Sequence, residues 1–215
     1  MPKNYPYELL EDPAKLASYH EWSEEVYQDF LAFQKGHLTE QDFDRKYLRR
    51  RAILCLDMTS FTQSAIQYGA LFSLLRILDV QKVCGPIFRQ YEAGRVRAFA
   101  DDFTVLFEDP QNALSAALEV HRRIESFNAS SLASKSPARC CIGIGYGDVY
   151  AIGPDLAMGD EMNRASKLGE DTAKAQETLI SEGMYNAVSE RQDCIFERIE
   201  AGPLPFAYYK VKAKH

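Results

Sequence analysis

The hydrophobic positions of this chain change their period several times, and each change predicts a new element. Residues 52–56 form an apolar run typical of a buried strand, and residues 61–91 carry leucines and isoleucines at the three- and four-residue steps of a helix. Two short apolar runs, residues 96–99 and 104–107, flank a tight polar turn and predict a β-hairpin. Residues 109–127 return to the helical period, with Asp and Pro at the start.

The second half of the chain continues to alternate between strands and helices. Residues 139–146 and 149–152 are predicted as strands separated by a Gly-Asp turn, and residues 159–175 as a helix. The remaining predicted elements are a strand over 178–181, a short helix over 182–188, and strands over 194–199 and 206–211. The order β-α-β-β-α-β, followed by extra strands, predicts an α+β fold with a ferredoxin-like βαββαβ core and helices on one face of its sheet.

Residues 1–49 differ from the rest of the chain and are predicted to form an N-terminal helical extension, so that residues 50–215 form the main domain. Between residues 18 and 35 the following side chains recur at helical spacing: Tyr19, Trp22, Val26, Tyr27, Phe30 and Phe33. Such a helix packs on the core of its own chain, or it serves dimerisation or regulation, and the sequence leaves both interpretations open. The basic run that follows, residues 45–51, is typical of a solvated linker.

Composition and charge narrow the class of protein. The chain has 215 residues, of which 46% are hydrophobic and 26% charged, the balance of a soluble globular protein. Its net charge of −6 argues against a nucleic-acid partner, which needs clustered Lys and Arg. No apolar run reaches the roughly 20 residues that span a bilayer, and the N-terminus lacks the apolar segment of a signal peptide. With five cysteines and no CxxC spacing, we expect a cytoplasmic protein whose thiols are reduced.

Acidic side chains follow two of the predicted strands. Asp57 comes directly after the strand over 52–56 and just before a helix N-terminus, where unpaired N–H groups suit phosphate oxygens. Asp101 and Asp102 lie at the tip of the hairpin. Taken singly, this first segment is explained by Asp57 or Thr59 as a helix cap, and the hairpin pair by an ordinary turn. In a ferredoxin-like core, however, the first strand neighbours the hairpin, so these carboxylates can meet and hold one or two Mg²⁺ ions.

A third polar segment lies in the helix predicted over residues 159–175. Asn163 and Lys167 are four residues apart and therefore project from one face of that helix. An amide and an ammonium together could position a ribose and neutralise phosphate charge. The alternative is an ion pair of Lys167 with Glu170 or Asp171, which leaves Asn163 as a plain polar position on the helix.

Four of these segments resemble, in the same order, motifs of the class III nucleotidyl cyclase catalytic domain, the adenylate and guanylate cyclase family. Residues 53–62 and 96–107 are similar to the two metal-aspartate motifs, residues 142–147 to the glycine-rich central strand, and residues 159–168 to the helix with the transition-state residues. The resemblance covers roughly three quarters of the chain. It implies an enzyme that converts a ribonucleoside triphosphate to the 3′,5′-cyclic monophosphate and pyrophosphate at the interface of a homodimer.

The resemblance also implies two Mg²⁺ or Mn²⁺ ions in each active site. Asp57 and Asp101 match the family's metal aspartates, and the backbone of Met58 matches a further metal ligand. Asp102 takes the place of Asp101 if the hairpin register differs by one residue. Ala100 stands where the family has a glycine, which is a mild departure.

The nucleotide-binding positions follow from the same resemblance. The backbone of Phe61 and Thr62 matches the positions that hold the terminal phosphates. Asn163 matches the residue that orients the ribose from the partner subunit, and Lys167 stands where the family usually has an arginine. Lysine keeps the positive charge of arginine but loses its planar fork, so the phosphate contact would be monodentate.

Several positions depart from the adenylate cyclase pattern. Arg97 stands where adenylate cyclases carry a base-reading lysine, and Leu156, or Asp155 if the alignment slips by one, stands where they carry an aspartate. Lys210 and Lys212 are only loose matches to the family's C-terminal phosphate lysine. An arginine offers a fork of donors to carbonyl oxygens, so we expect a pyrimidine substrate, UTP rather than CTP. That would make the chain similar to the stand-alone bacterial pyrimidine cyclases of anti-phage signalling. The alternatives are an adenylate or guanylate cyclase, or a catalytically silent cyclase-homology signalling domain.

Overall fold

The computed structural model of the protein describes residues 7, 9–19, 22–59, 61–130, 137–152, 156–200 and 204–214. The chain divides into two compact units. The N-terminal unit comprises Met1–Arg49 and Tyr150–Met158, and the main unit comprises Arg50–Val149 and Gly159–His215. The N-terminal unit therefore combines the predicted extension with a short segment from far along the chain.

Helices and strands alternate along most of the described chain. In chain order the elements are α1 (Pro13–Tyr19), α2 (Glu24–Gln34), α3 (Glu40–Tyr47), β1 (Leu48–Met58), α4 (Phe61–Tyr68), α5 (Ala70–Gln90), β2 (Arg95–Phe99), β3 (Asp102–Phe107), α6 (Pro110–Asn128), β4 (Cys140–Ile152), β5 (Leu156–Met158), α7 (Asp160–Ser166), the π-helical turn π1 (Lys167–Thr172), β6 (Thr178–Ser181), α8 (Glu182–Val188), β7 (Cys194–Ile199) and β8 (Tyr208–Ala213).

The strands form one mixed sheet in the order β2-β3-β1-β4-β6-β8-β7, with β5 paired to β4. Strand β3 is antiparallel to both β1 and β2, β4 is parallel to β6, and β8 is antiparallel to β6 and β7. The two halves of a ferredoxin-like core thus lie side by side, with β1 and β4 at their junction. The predicted α+β fold is confirmed, and β8 and β7 extend the sheet beyond that core.

The main hydrophobic core lies on one face of this sheet, against α5, α6 and α8. Alternate side chains of each strand point to this face, among them Leu54 and Leu56 of β1 and Ile142 and Ile144 of β4. The helix residues that close the core include Val80, Cys84, Phe88, Ala113, Ala117, Val120, Met184 and Val188. Burial of these side chains from water supplies the main driving force for folding.

The other face of the central strands is covered by α7 and π1, which rest on strand backbone. A Cβ atom added to Gly143 of β4 would lie 2.1 Å from the carbonyl oxygen of Ala165 and 2.3 Å from the nitrogen of Gly169. One added to Gly145 would lie 2.4 Å from the carbonyl oxygen of Glu161. The prediction of helices on one face only is therefore wrong for this part of the sheet, because the glycines of β4 admit a second helical layer.

The buried carboxylate of Glu161 links α7 to the sheet by hydrogen bonds. The side chain of Glu161 accepts hydrogen bonds from the backbone N–H of Tyr146 at 3.0 Å and from the hydroxyl of Ser181 at 2.5 Å. Arg164, one turn further along α7, donates to its second oxygen at 2.6 Å. Burial of a charge raises the free energy of the folded state unless the charge is paired and hydrogen-bonded. The Glu161 carboxylate is both paired with Arg164 and hydrogen-bonded. The network therefore fixes the position of α7 over β4 and β6.

Two predicted element boundaries differ from the structure for local reasons. The helix predicted over 61–91 is divided at Gly69, whose φ of 90° lies in the left-handed region that favours glycine. The strands predicted over 139–146 and 149–152 form the single strand β4, because the Gly-Asp pair between them stays extended.

Aromatic side chains hold the N-terminal unit together. The helix predicted over residues 18–35 corresponds to α2, and α1 lies almost wholly before it. Phe43 of α3 contacts Phe30 of α2, with 4.8 Å between ring centroids, and also contacts Tyr150 at 5.8 Å. The hydroxyl of Tyr150 donates to Asp44 at 2.6 Å. The aromatic side chains of α2 therefore pack within the N-terminal unit, and a role of this helix in dimerisation or regulation stays a prediction.

The basic run is not a linker, because residues 45–51 belong to the end of α3 and the start of β1, whereas the cysteines agree with the sequence analysis. Lys46 pairs with Glu25 and with Asp29, at 2.6 Å in each case, and Arg51 pairs with Glu108 at 2.7 Å. All five cysteines are buried and free. Among the helices of the described chain, none combines the length and the apolar character needed to cross a membrane.

Candidate active site

Three aspartates meet where β1 ends and the β2–β3 hairpin turns. The register of β1 on β3 brings Asp57 opposite Asp102, one step beyond the pair Leu56–Phe103. Asp101 lies in the two-residue turn of the hairpin, next to Asp102. Strand alternation directs Asp57 and Asp102 to the face of the sheet opposite the main core. The structure thus brings together the acidic residues that the sequence singled out from two distant segments.

These acidic side chains shift one another's protonation. Burial raises the pKa of Asp57 to about 7, and the negative charges of Asp101, Asp102 and Glu170 add to the effect. Burial also raises the pKa of Asp102, as does Asp101, while a hydrogen bond with Asp57 and the positive charge of Arg97 act in the opposite direction. Negative charge is therefore concentrated at one point of the sheet, and Arg97 offsets it in part. Glu170 is a member of this cluster that the sequence analysis mentioned only as a partner for Lys167.

The donor set fits a divalent cation of the Mg²⁺ or Mn²⁺ class, because carboxylate and carbonyl oxygens are the ligands that these ions prefer. Met58, whose backbone carbonyl the resemblance assigns as a further ligand, is the last residue of β1 and directly follows Asp57. Within the described ranges, no group of three or more His, Cys, Asp or Glu side chains could hold a metal ion. Coordination here would therefore combine two carboxylates with backbone and substrate oxygens.

A buried thiol lies directly behind Asp57. The Sγ atom of Cys141 on β4 donates to the backbone carbonyl of Asp57 at 3.5 Å and lies 3.9 Å from its Oδ2 atom. Burial and then the charge of Asp57 raise the pKa of Cys141 to about 12, so the thiol stays protonated and can donate. The sequence analysis assigned this cysteine to the core only. The period of two along β4 could have found it, since Cys141 shares a face with Gly143 and Gly145.

The candidate phosphate-binding positions lie at the start of α4. Phe61 and Thr62 are the first two residues of this helix. The first four backbone N–H groups of a helix have no partner within it, and the helix dipole places partial positive charge there. The start of α4 follows Asp57 by four residues, so the helix N-terminus and Asp57 belong to one short stretch of chain.

Arg97 lies in β2, opposite Thr104 of β3, on the face of the sheet that carries Asp102. Its guanidinium is 5.7 Å from the centroid of the Phe99 ring, and it lowers the pKa of Asp102 by its positive charge. The predicted base-reading residue therefore lies beside the acidic cluster.

Asn163 and Lys167 are exposed, in α7 and at the start of π1. The ammonium of Lys167 donates to Asp171 at 2.5 Å, which is one of the two pairings that the sequence left as alternatives. Within the part of the chain that the structure describes, no hydrogen bond or ion pair joins either side chain to the aspartate cluster. The helix predicted over 159–175 ends at Thr172 in π-helical geometry, so these residues lie at a change of helix type.

The remaining predicted positions bear less directly on the site. Asp155 lies outside the described residues, and Leu156 begins β5. Lys210 and Lys212 each pair with a glutamate of the main unit. Ala100 stands where the resemblance expects a glycine. Its φ of 50° lies in the left-handed region, which is sterically unfavourable for any residue with a Cβ atom.

No protein-family model matches the sequence, and no curated protein matches it significantly. Solved structures do match it. The catalytic core of a rhodopsin-guanylyl cyclase with converted specificity, in complex with ATPαS, aligns with a TM-score of 0.67 and 18% identity, over 78% of this chain and 99% of that one. The adenylyl cyclase CyaB from P. aeruginosa aligns with a TM-score of 0.67 and 18% identity, over 78% of this chain and 96% of that one.

This chain has the fold of class III nucleotidyl cyclase catalytic domains. A third match is the non-canonical dimeric guanylyl cyclase domain of the RhoGC fusion protein from the aquatic fungus Blastocladiella emersonii, with a TM-score of 0.65 and 18% identity, over 79% of this chain and 98% of that one. The described chain therefore accounts for nearly the whole length of each of these cyclase domains. At this level of identity the likeness establishes the fold, and the chemistry has to be argued from the site.

Proposed function

We propose that this chain is a nucleotidyl cyclase, which converts a ribonucleoside triphosphate to the 3′,5′-cyclic monophosphate and pyrophosphate at a homodimer interface. The observation that carries the proposal is the convergence of Asp57, Asp101 and Asp102 at one end of the sheet, in a domain with the cyclase fold. A structural role alone does not explain why Asp57 and Asp102, whose pKa values are both raised by burial and by the charge of Asp101, are held together.

Asp57, Asp101 and the backbone carbonyl of Met58 would hold the divalent ions, Mg²⁺ or Mn²⁺, two to each site. When bound, such ions lower the pKa of an attacking hydroxyl and neutralise a departing pyrophosphate. Asp102 is directly opposite Asp57 and shares a hydrogen bond with it, so it either orients that ligand or replaces Asp101. The backbone N–H groups of Phe61 and Thr62 would bind the terminal phosphates.

The ribose and the reacting phosphate would be held from the other subunit. Asn163 of the partner subunit would orient the ribose, and Lys167 of the partner subunit would neutralise charge on the pentavalent phosphorus. Both side chains are exposed in the single chain and are therefore accessible to a second copy. The Lys167–Asp171 pair is exposed on both sides, and such surface pairs contribute little to stability, so the ammonium can leave it for a phosphate.

An exposed apolar stripe on α5 supports a dimer. Leu71, Leu74, Leu75 and Leu78 recur at helical spacing and are between 48% and 72% exposed. Contiguous apolar surface of this kind marks protein interaction sites more often than free surface. One of the structural neighbours, the guanylyl cyclase domain of RhoGC, is described as a non-canonical dimer in one structure and as a monomer in another.

UTP is the proposed substrate, with CTP second. The guanidinium of Arg97 lies on the substrate side of the sheet and offers several donors to the carbonyl oxygens of uracil. Leu156 stands where adenylate cyclases carry the acceptor for the adenine amino group, so the adenine-reading pair is incomplete. The product would serve as a second messenger in anti-phage signalling, a role that rests on the sequence resemblance alone.

Product identification tests both levels of the proposal. The purified protein is incubated with equimolar ATP, GTP, CTP and UTP, with Mn²⁺ and with Mg²⁺, and the products are identified by mass spectrometry. Cyclic UMP is expected as the main product. Mainly cyclic AMP or cyclic GMP would refute the base assignment and leave an adenylate or guanylate cyclase. Absence of every cyclic nucleotide would favour a silent signalling domain.

Two sets of variants test the site. Asp57→Asn or Asp101→Asn should lower turnover by at least about 100-fold and leave the protein folded and dimeric, because the ions lose a ligand. Asp109→Asn makes the same change at the N-cap of α6 and should leave turnover unchanged. A mixture of Asp57→Ala and Lys167→Ala chains should regain about a quarter of the activity, since half of the dimers are mixed and each has one intact site. No rescue in a verified mixed dimer would refute the shared site.

A further inference from the structure

An aromatic-lined cavity of about 390 Å³ opens within the N-terminal unit. Its aromatic lining consists of Trp22, Phe30, Phe33, Phe43 and Tyr150. Pockets that bind small molecules measure roughly 300–1,000 Å³ and are mostly apolar with a few polar groups. This cavity therefore has the size and lining of a small-molecule site, and it contains none of the residues assigned to nucleotide turnover.

The rings form a continuous wall. Trp22 stacks on Phe30 with centroids 5.1 Å apart, and Phe30 contacts Phe43 at 4.8 Å. Phe43, the most buried of the five, contacts both Phe33 at 6.0 Å and Tyr150 at 5.8 Å. The faces of aromatic rings carry negative electrostatic potential, so a wall of several rings attracts positive charge.

The charged groups around the cavity have the same sign. Glu40, in the first turn of α3, is the charged residue of the described lining, which includes no basic side chain. Asp44 accepts the hydroxyl hydrogen of Tyr150 at 2.6 Å, which brings a second carboxylate to the aromatic wall. Lys46, a cation of the same unit, is held by Glu25 and Asp29. Glu40 is exposed at the cavity, and no basic side chain of the described lining neutralises it.

We propose that this cavity binds a small organic cation of the methylated-ammonium class, with its methyl groups against the rings and its charge near Glu40. A compact hydrated ion such as Na⁺ would lose its water without gaining oxygen ligands from an aromatic wall. A methylated ammonium spreads its charge over apolar groups, so it suits both the rings and Ile152 and Met158, which complete the lining. The proposal is independent of the cyclase assignment.

Trp22 provides a direct readout, because it is the single tryptophan of the chain. The fluorescence of the full-length protein is followed during titration with choline and, separately, with its neutral isostere, in which a quaternary carbon replaces the nitrogen. Choline is expected to give a saturable change at a concentration about tenfold lower than the isostere requires. Equal response to both compounds would overturn the selectivity for a cation, and absence of a saturable change with choline would overturn the site.

Variants separate the charge from the rings. Glu40→Gln keeps the shape of the rim and removes its charge, and Phe33→Leu keeps apolar volume and removes a ring face. Each should weaken choline binding several-fold, with folding checked by circular dichroism. Glu24→Gln removes an exposed charge from α2 outside the lining and should leave binding unchanged. Choline affinity that is the same in Glu40→Gln as in Glu24→Gln would overturn the role of Glu40.

Discussion

Replacement of Gly143 by alanine tests how closely α7 and π1 rest on the central strand. The added Cβ atom would lie 2.1 Å from the carbonyl oxygen of Ala165, whereas ordinary contacts begin at 3.4 Å. The helical layer would have to move away from β4 by about 1 Å. Overpacking costs about 1–3 kcal/mol when side chains can yield, and here both groups are backbone. We therefore expect Gly143→Ala to lower the free energy of unfolding by at least about 3 kcal/mol.

Two further glycines provide comparison variants for the stability loss expected at Gly143. A Cβ atom at Gly147 would meet the Cγ atom of Glu161 at 2.6 Å, a side-chain contact rather than a backbone one. Because hydrogen bonds hold the Glu161 carboxylate, the expected loss is still about 1–3 kcal/mol. A Cβ atom at Gly94 would lie 3.7 Å from the carbonyl oxygen of Leu106, an ordinary van der Waals contact. Gly94→Ala should therefore change the stability by less than about 0.5 kcal/mol.

Urea unfolding followed by circular dichroism measures the free energy of unfolding of each variant. The loss should be largest for Gly143→Ala, smaller for Gly147→Ala and negligible for Gly94→Ala. If the first variant does not accumulate as folded protein, the other two still rank the contacts. A Gly143→Ala protein as stable as Gly94→Ala would refute the close approach of α7 and π1 to β4.

Three further predictions concern single positions in the main unit, all measured by urea unfolding. Ala100→Gly should raise the stability by about 0.5–1 kcal/mol, because Ala100 has a φ of 50°; a loss would contradict this. Asp109→Ala should cost about 1 kcal/mol, since Asp109 accepts the N–H of Gln111 at 2.8 Å as the N-cap of α6, and Asp109→Asn should cost less. Burial lowers the pKa of His121 from 6.5 to about 4, so the folded state favours the neutral ring. Stability should fall by about 3 kcal/mol more in the natural protein than in His121→Gln as the pH drops from about 6.5 to about 4, and equal pH dependence would refute this.

The order of strands and helices could be predicted because their signals are local. The apolar run before Asp57, the helical period after it and the polar turn before Asp102 each depend on a few neighbouring residues. The wrongly predicted element boundaries arise where one local signal contradicts another. Gly69 ends a helix within a continuous helical period, and a Gly-Asp pair that is typical of a turn stays extended inside β4.

The sequence by itself determined the element order, the fold class and the placement of acidic residues at the ends of two strands. Tertiary structure alone decided that Asp57 comes opposite Asp102, that the thiol of Cys141 lies behind Asp57, and that a helical layer rests on Gly143. It also decided that the aromatic face of α2 surrounds a cavity together with residues from far along the chain. The reason is that strand register and side-chain packing depend on segments distant in sequence, and hydrophobic periodicity carries no information about which of them will meet.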